Sequence, residues 1–326
     1  MNSWFANISV NLKLGLGFGL VLVLTALLAL TGWTSLGSLI QRSNWMSDIT
    51  RLNSDLTNLR VARLQYMLAN GDDATANNVQ VKLNEFNQQQ QHLLKTFKSP
   101  ENLKLLNEQA QIIAAYQVTL DRMRATYKAS AAARTDLETT AAAAMQLIDN
   151  ITRDVLGQGE GDGARLEQFR AASAAKEQLL QVRFEVRGYI ADNTTQSEQT
   201  ALRQLDNALD YARQLAQSLP NEAARIQQFQ AAVTSYRDAL NRYKGAVADI
   251  AAARAEMTQQ GYDIVSRSEA LYKIQLERRD AESTEARSLQ LIATLLALLV
   301  GIAAALIITR QITRPLRETM AVVERI

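Results

Sequence analysis

Residues 59–70 read LRVARLQYMLAN, and residues 182–193 read VRFEVRGYIADN. The two stretches align at a constant offset of 123, with Leu59-Arg60 on Val182-Arg183, Tyr66 on Tyr189 and Asn70 on Asn193. The agreement continues downstream. Pro100 and Pro220 each stand 16 residues before a tyrosine, Tyr116 and Tyr236, and Ala131-Ala132-Ala133-Arg134 returns as Ala251-Ala252-Ala253-Arg254 at an offset of 120. Self-similarity of this kind means that one supersecondary unit is used twice.

The unit is helical. Leu105, Ile112, Tyr116, Leu120, Met123 and Tyr127 recur at three- and four-residue multiples, the spacing that puts apolar side chains on one face of a helix. The breaks are few: Asn70-Gly71-Asp72-Asp73, Ser99-Pro100, the glycine-rich 157–163, Asn193-Thr194-Thr195 and Leu219-Pro220-Asn221. They predict six helices, at about 34–70, 74–98, 100–156, 164–192, 197–218 and 220–287, with the third and sixth much the longest. At ~1.5 Å per residue the long helices reach ~100 Å while the first pair turns back at ~54 Å. The expected fold is all-α: two stacked four-helix bundles made from six helices, a proximal one from about 34–127 and 250–287 and a distal one from about 128–249.

Two uncharged runs flank this region, Leu14–Trp33 with 20 residues and Ser288–Thr309 with 22. Each is long enough to cross ~30 Å of hydrocarbon as a helix. Lys13 precedes the first, Arg310, Arg314 and Arg317 follow the second, and Glu282, Glu285 and Arg287 of mixed sign lie on the loop side. Positive flanks mark both ends as cytoplasmic. The layout is a cytoplasmic 1–13, a first span 14–33, an extracytoplasmic domain 34–287, a second span 288–309 and a cytoplasmic 310–326. Gly15, Gly17 and Gly19 sit inside the first span with no Lys-Ser/Thr after them, which fits close helix packing better than a phosphate loop.

Composition narrows the function. With no cysteine and a single histidine, His92, the chain lacks the makings of a disulfide framework or a Cys/His metal site. Its 35 basic and 33 acidic residues, net +2, leave no basic excess for nucleic acid. No nucleophile with a paired base is found, so an enzyme, a cofactor and a nucleic-acid partner are not expected.

The arginines in the repeated stretch stand out. Arg60 and Arg63, at i and i+3, and Arg183 and Arg187, at i and i+4, each put two positive charges on one helix face, and neither pair has an acid three or four positions away. A guanidinium on a buried face needs an anion. By rise along the helices Arg60 and Arg63 come level with Tyr116, Arg254 and Thr258, and Arg183 and Arg187 with Tyr236 and Arg134. Arg134 has Glu138 at i+4 as a partner, whereas Arg254 has the neutral donor Thr258 there. Three free arginines in the proximal cluster suit a dicarboxylate, and about two in the distal cluster suit a smaller monocarboxylate. The competing reading makes these arginines structural, bridging to acids of another helix or subunit. It requires an acid within reach of each one.

After the second span, Arg310-Gln311-Ile312-Thr313-Arg314-Pro315-Leu316 resembles the opening of a HAMP linker, of which the chain contains only the start. With the two spans and the duplicated six-helix loop, the chain resembles the sensor half of a bacterial methyl-accepting chemotaxis receptor with a helical bimodular (HBM) ligand-binding domain. It is similar in particular to pseudomonad receptors for tricarboxylic-acid-cycle intermediates. The resemblance implies a homodimer in the inner membrane with a periplasmic sensor, coupled through HAMP to a histidine kinase and its coupling protein. It implies malate, succinate, fumarate or citrate at Arg60, Arg63 and Arg254, with Thr258 and Tyr116 beside them, and an acetate-like ligand at Arg183, Arg187 and Tyr236. A histidine kinase or diguanylate cyclase after HAMP, or a ligand-free helical scaffold, are the alternatives.

Overall fold

The computed structural model describes residues 9–157 and 161–323. Residues 1–8 of the expected cytoplasmic N-terminus, 158–160 of the glycine-rich break and 324–326 at the end of the expected HAMP segment lie outside it. So do the side chains of residues 10, 11, 13, 162, 308 and 311–323, Pro315 and Leu316 among them.

The described residues form six α-helices joined by short breaks, with no strand among them. These are α1 Val10–Leu68, α2 Asp73–Thr96, α3 Pro100–Gly157, α4 Asp162–Asp192, α5 Thr195–Ser218 and α6 Ala223–Val323, with a 3-10 turn at Pro220–Glu222 ahead of α6. The fold is all-α, and the breaks fall within a few residues of the expected ones. Pro220 opens the 3-10 turn rather than the sixth helix itself, whose first residue is Ala223. The first apolar segment and the stretch that follows it are one continuous helix, for no proline interrupts them.

The repeated Tyr-x-x-x-Asn has a structural cause. Asn70 and Asn193 both take the left-handed conformation, with φ of 50° and 51°, and both end a helix. Asparagine tolerates this better than most residues because its short amide bonds locally. The Asn193 N–H returns to the Tyr189 carbonyl at 2.8 Å. Four residues back, each tyrosine packs edge-on against another: Tyr66 on Tyr127 with centroids 5.5 Å apart, and Tyr189 on Tyr243 at 5.7 Å. α5 then starts on a side-chain cap, with the Thr194 hydroxyl accepting from the Ser197 N–H.

The chain divides into two compact units. One takes residues up to Ser54, Gln89–Asn107 and Val265 onward. Ile49, Leu52, Leu93, Phe97, Leu106 and Leu271 fill its core. Arg42 lies over the Trp45 ring and bonds Glu282 and Gln275, tying α1 to α6. The hydrogen bond from Arg42 holds the Glu282 carboxyl below the usual range. This unit also contains the two apolar segments, which lie in helices long and apolar enough to cross a membrane. Their side chains are outward, Trp33 80% and Leu306 66% exposed.

The other unit is Asp55–Gln88 with Glu108–Ile264. It contains one continuous core from Ala133 to Tyr243, drawn from α3, α4, α5 and α6. Tyr66, Phe86, Tyr116 and Met257 are buried in the same unit. The expected divisions at 127/128 and 249/250 fall inside this unit, as do all the candidate site residues.

Two measurements test this packing. A Cβ on Gly71, where φ is +86°, would lie 2.2 Å from the Tyr127 Cγ, whereas one on Gly188 in α4 meets nothing within 4 Å. Gly71→Ala should cost about 2–4 kcal/mol through backbone strain and overlap. Gly188→Ala should raise stability by about 0.5–1 kcal/mol, with thermal unfolding reporting both. The second concerns alkali. Burial pushes the phenols of Tyr66, Tyr116, Tyr189 and Tyr236 up to about 12. In the unfolded chain they ionise near 10, so the folded state holds these protons more tightly. Their contribution to stability is complete below about pH 10 and is lost as pH rises from there through about 12. Circular dichroism and phenolate absorbance should change together in that window.

Candidate functional site

The first arginine cluster is built from α1, α3 and α6. Arg63 is only 7% exposed, yet no acid pairs with it among the described residues. Its Nη1 donates to the Met257 carbonyl on α6 at 3.1 Å, and its Nε is buried with no acceptor. The guanidinium fits there because α6 offers a glycine. A Cβ on Gly261 would come within 3.2 Å of Arg63 Nη1. Tyr116, 1% exposed, is its neighbour: burial raises this phenol to about 12, and the opposing influence is the Arg63 charge. At that value the phenol stays protonated at neutral pH and keeps a proton to donate.

Arg254 differs from expectation. It is half-buried on α6, and three hydrogen bonds commit it: Nε to the Tyr127 hydroxyl at 3.1 Å, Nη2 to the same oxygen at 2.6 Å, and Nη2 to the Met67 carbonyl at 2.7 Å. Met67 sits in the last turn of α1, where carbonyls lack partners within the helix. Arg254 therefore closes the end of α1. It is not one of three uncommitted guanidinium groups. Thr258 likewise spends its proton inside its own helix, donating to the Arg254 carbonyl at 2.8 Å, so what it presents is lone pairs. Arg60 is exposed, with neither a hydrogen bond nor an ion pair among the described residues.

In the second cluster Arg183 is half-buried and Arg187 exposed, and neither has a hydrogen bond or ion pair among the described residues. Both lie near Tyr236, 3% exposed, whose phenol burial raises to about 12 against the influence of these two charges. Arg134 does not pair with Glu138. It stands near Tyr243, where its charge opposes the rise that burial imposes on that phenol. The Tyr243 hydroxyl donates to Asn193 Oδ1 at 2.9 Å. The arithmetic of three free arginines against two thus gives way to a different contrast. One cluster has a buried guanidinium with an open Nε and a committed Arg254; the other has two uncommitted arginines beside a buried phenol.

The structural-bridge reading required an acid at every one of these arginines. None of Arg60, Arg63, Arg183, Arg187 and Arg254 is in an ion pair among the described residues. Arginines elsewhere do pair, as Arg122 with Glu256 and Arg242 with Asp136. Cavities of other character are present too: one of about 440 Å³ lies beside Thr31 and Ser35 on α1 and Glu282 and Glu285 on α6, a lining of the wrong sign for a carboxylate.

Three participants escaped the sequence reading: Tyr127, Gly261 and the Met67 carbonyl. A carbonyl has no signature in sequence. Tyr127 was hidden by the repeat itself, since at the offset of 120 it aligns with Val247, and Tyr243 aligns with Met123. The two ring partners sit one helical turn apart in register but on the same face.

McpS of Pseudomonas putida, a methyl-accepting chemotaxis protein, is 62% identical over all 326 residues of the chain, which cover 51% of McpS. McpQ of the same organism, also a methyl-accepting chemotaxis protein, is 35% identical over the whole chain and 51% of its own length. McpK of Pseudomonas aeruginosa, of the same description, is 28% identical over 98% of the chain and 50% of its own length. The chain spans about half the length of each of these relatives. Residues 33–286 match the family described as the helical bimodular sensor domain. That match takes in the whole region between the apolar segments, and the chain belongs to the helical bimodular (HBM) sensor domain family.

Proposed function

We propose that this chain is the sensing half of a methyl-accepting chemotaxis receptor, held in the inner membrane by two spans, with its HBM domain in the periplasm. It detects small organic acids. The observation that carries this reading is Arg63: a positive charge, more than nine-tenths buried, with no acid paired to it among the described residues and with an unused Nε–H. Burying an ion without a counter-ion is costly, and a carboxylate from solution supplies the missing partner with a charge-assisted bond. Arg63, with Arg60, Tyr116, Arg254 and Thr258 around it, takes C4 dicarboxylates such as malate, succinate and fumarate, or citrate. Arg183, Arg187 and Tyr236 take an acetate-like monocarboxylate.

Two copies of the chain form the working receptor. A ligand that binds two packings of α1 and α6 unequally shifts the balance between them. α6 runs unbroken from Ala223 to Val323 and joins Arg254 and Met257 covalently to the second apolar segment. The HAMP linker opening at Arg310 receives the shift and passes it to the kinase and coupling protein. Resemblance to three methyl-accepting chemotaxis proteins favours that output over a histidine kinase or cyclase in the same chain.

Calorimetric titration of the full chain in nanodiscs tests the assignment. Arg63→Met should weaken succinate and malate by roughly 10- to 100-fold, the worth of a hydrogen bond to a charged group, and leave acetate unchanged. Arg183→Met should do the reverse. Because no ion pair is broken, Arg63→Met should also melt at or above the wild-type temperature. A loss of about 3–5 kcal/mol, as when one partner of a buried pair is removed, would return Arg63 to a structural role.

A further inference from the structure

We propose that Arg254 is a latch. Its guanidinium is held at the end of α1 by two neutral acceptors, the Tyr127 hydroxyl and the Met67 carbonyl, and a bound dicarboxylate displaces them. The latch rests on the reading that the first cluster binds such acids, and it adds how that site is regulated.

An arginine offers five N–H groups, and its Nε–Nη2 edge is one that matches the two oxygens of a carboxylate. In Arg254 a single phenol oxygen covers this edge, at 3.1 and 2.6 Å, and Nη2 also donates to Met67. The phenol is not free to drift. Its ring passes so close to Gly71 that any side chain there would overlap it, and the Tyr66 ring braces it edge-on at 5.5 Å. The guanidinium carbon lies 5.8 Å from the same ring.

The bond to Met67 has a counterpart running the other way. Arg63 on α1 donates to the Met257 carbonyl on α6, while Arg254 on α6 donates to the Met67 carbonyl on α1. Each helix thus holds the other by one arginine-to-carbonyl bond. The two ties are unequal in what they leave open. Arg63 makes its tie through Nη1 alone and its buried Nε has no acceptor, so an anion that reaches Nε leaves the tie intact. Arg254 has its Nε–Nη2 edge closed and only Nη1 unengaged, so an anion that takes this edge exchanges with Tyr127 and Met67. A carboxylate brings a full negative charge and a bidentate match to the Nε–Nη2 edge, neither of which the neutral phenol and carbonyl supply, and this sets the direction of that exchange. Apparent affinity then equals intrinsic affinity reduced by the unlatched fraction.

The second cluster has no such device. The Tyr243 hydroxyl donates to Asn193, and Arg134 makes no hydrogen bond among the described residues. Tyr127 is accordingly a positioning residue for one ligand class alone.

Tyr127→Phe keeps the ring on Gly71 and Tyr66 but removes the acceptor. In the full chain in nanodiscs it should tighten succinate by roughly 3- to 10-fold, leave acetate unchanged, and have no effect on succinate once Arg254→Ala is also present. Unchanged or weaker succinate binding, or a gain that survives Arg254→Ala, overturns the latch. Hydrogen exchange on the wild type provides a readout that needs no variant: succinate should speed exchange at the Ala69 and Gly71 amides as Arg254 leaves the end of α1, and slower exchange there contradicts it. If the folded wild type binds no dicarboxylate, the carboxylate assignment falls and the latch with it. If it binds but Tyr127→Phe brings no gain, the latch alone falls.

Discussion

A guanidinium placed inside a helical bundle with no acid opposite it is the constraint on which the site depends. Burial of a guanidinium is not relieved by losing a proton, as burial of a lysine or a histidine can be. Relief comes from what surrounds it. Gly261 lets it lie against α6, the Met257 carbonyl takes one of its protons, and the Tyr116 phenol, kept neutral by burial, stands beside it. None of these is an anion. The fold thus keeps a buried positive charge without an acid among the described residues, and this is what the proposed carboxylate would answer. A structural ion pair would have left nothing for a ligand to supply.

Duplication supplied a second arginine cluster, and each half has altered its copy. Tyr66 and Tyr189 keep the same task, packing edge-on against a second tyrosine just before an asparagine in the left-handed conformation. Around that shared frame the arginines diverge. Arg254 reaches the end of α1 and closes it, while Arg134, its equivalent, bonds nothing comparable. The tyrosines are exchanged as well: Tyr127 lies on α3 and Tyr243 on α6, so the two long helices trade places between the copies. One frame therefore holds two arginine clusters of different makeup.

Much of this was legible in the residues. The helices follow from apolar spacing and from breaks that carry glycine, proline and asparagine, because these signals act over a few residues and need no knowledge of the partner helix. The paired arginines were visible for the same reason: the absence of an acid at i±3 or i±4 is a local fact. What the sequence concealed depends on contacts between helices. Arg254 reads as uncommitted because its neighbours in sequence are neutral, yet its partners come from α1 and α3. Glu138 was offered to Arg134 on spacing alone, but both are exposed, and a solvated i, i+4 pair gains too little to fix two long side chains. Gly261 gave no local sign, because the need for a missing Cβ arises from Arg63, nearly two hundred residues earlier.

The most direct test of the claim that Arg63 recruits an external anion is a structure of the chain solved with succinate. A carboxylate oxygen within hydrogen-bond distance of Arg63 Nε, with Tyr116 beside it, is the predicted result. An Arg63 Nε that meets instead a carboxylate of the protein, from the same chain or a second copy, with succinate bound elsewhere or absent, would contradict it.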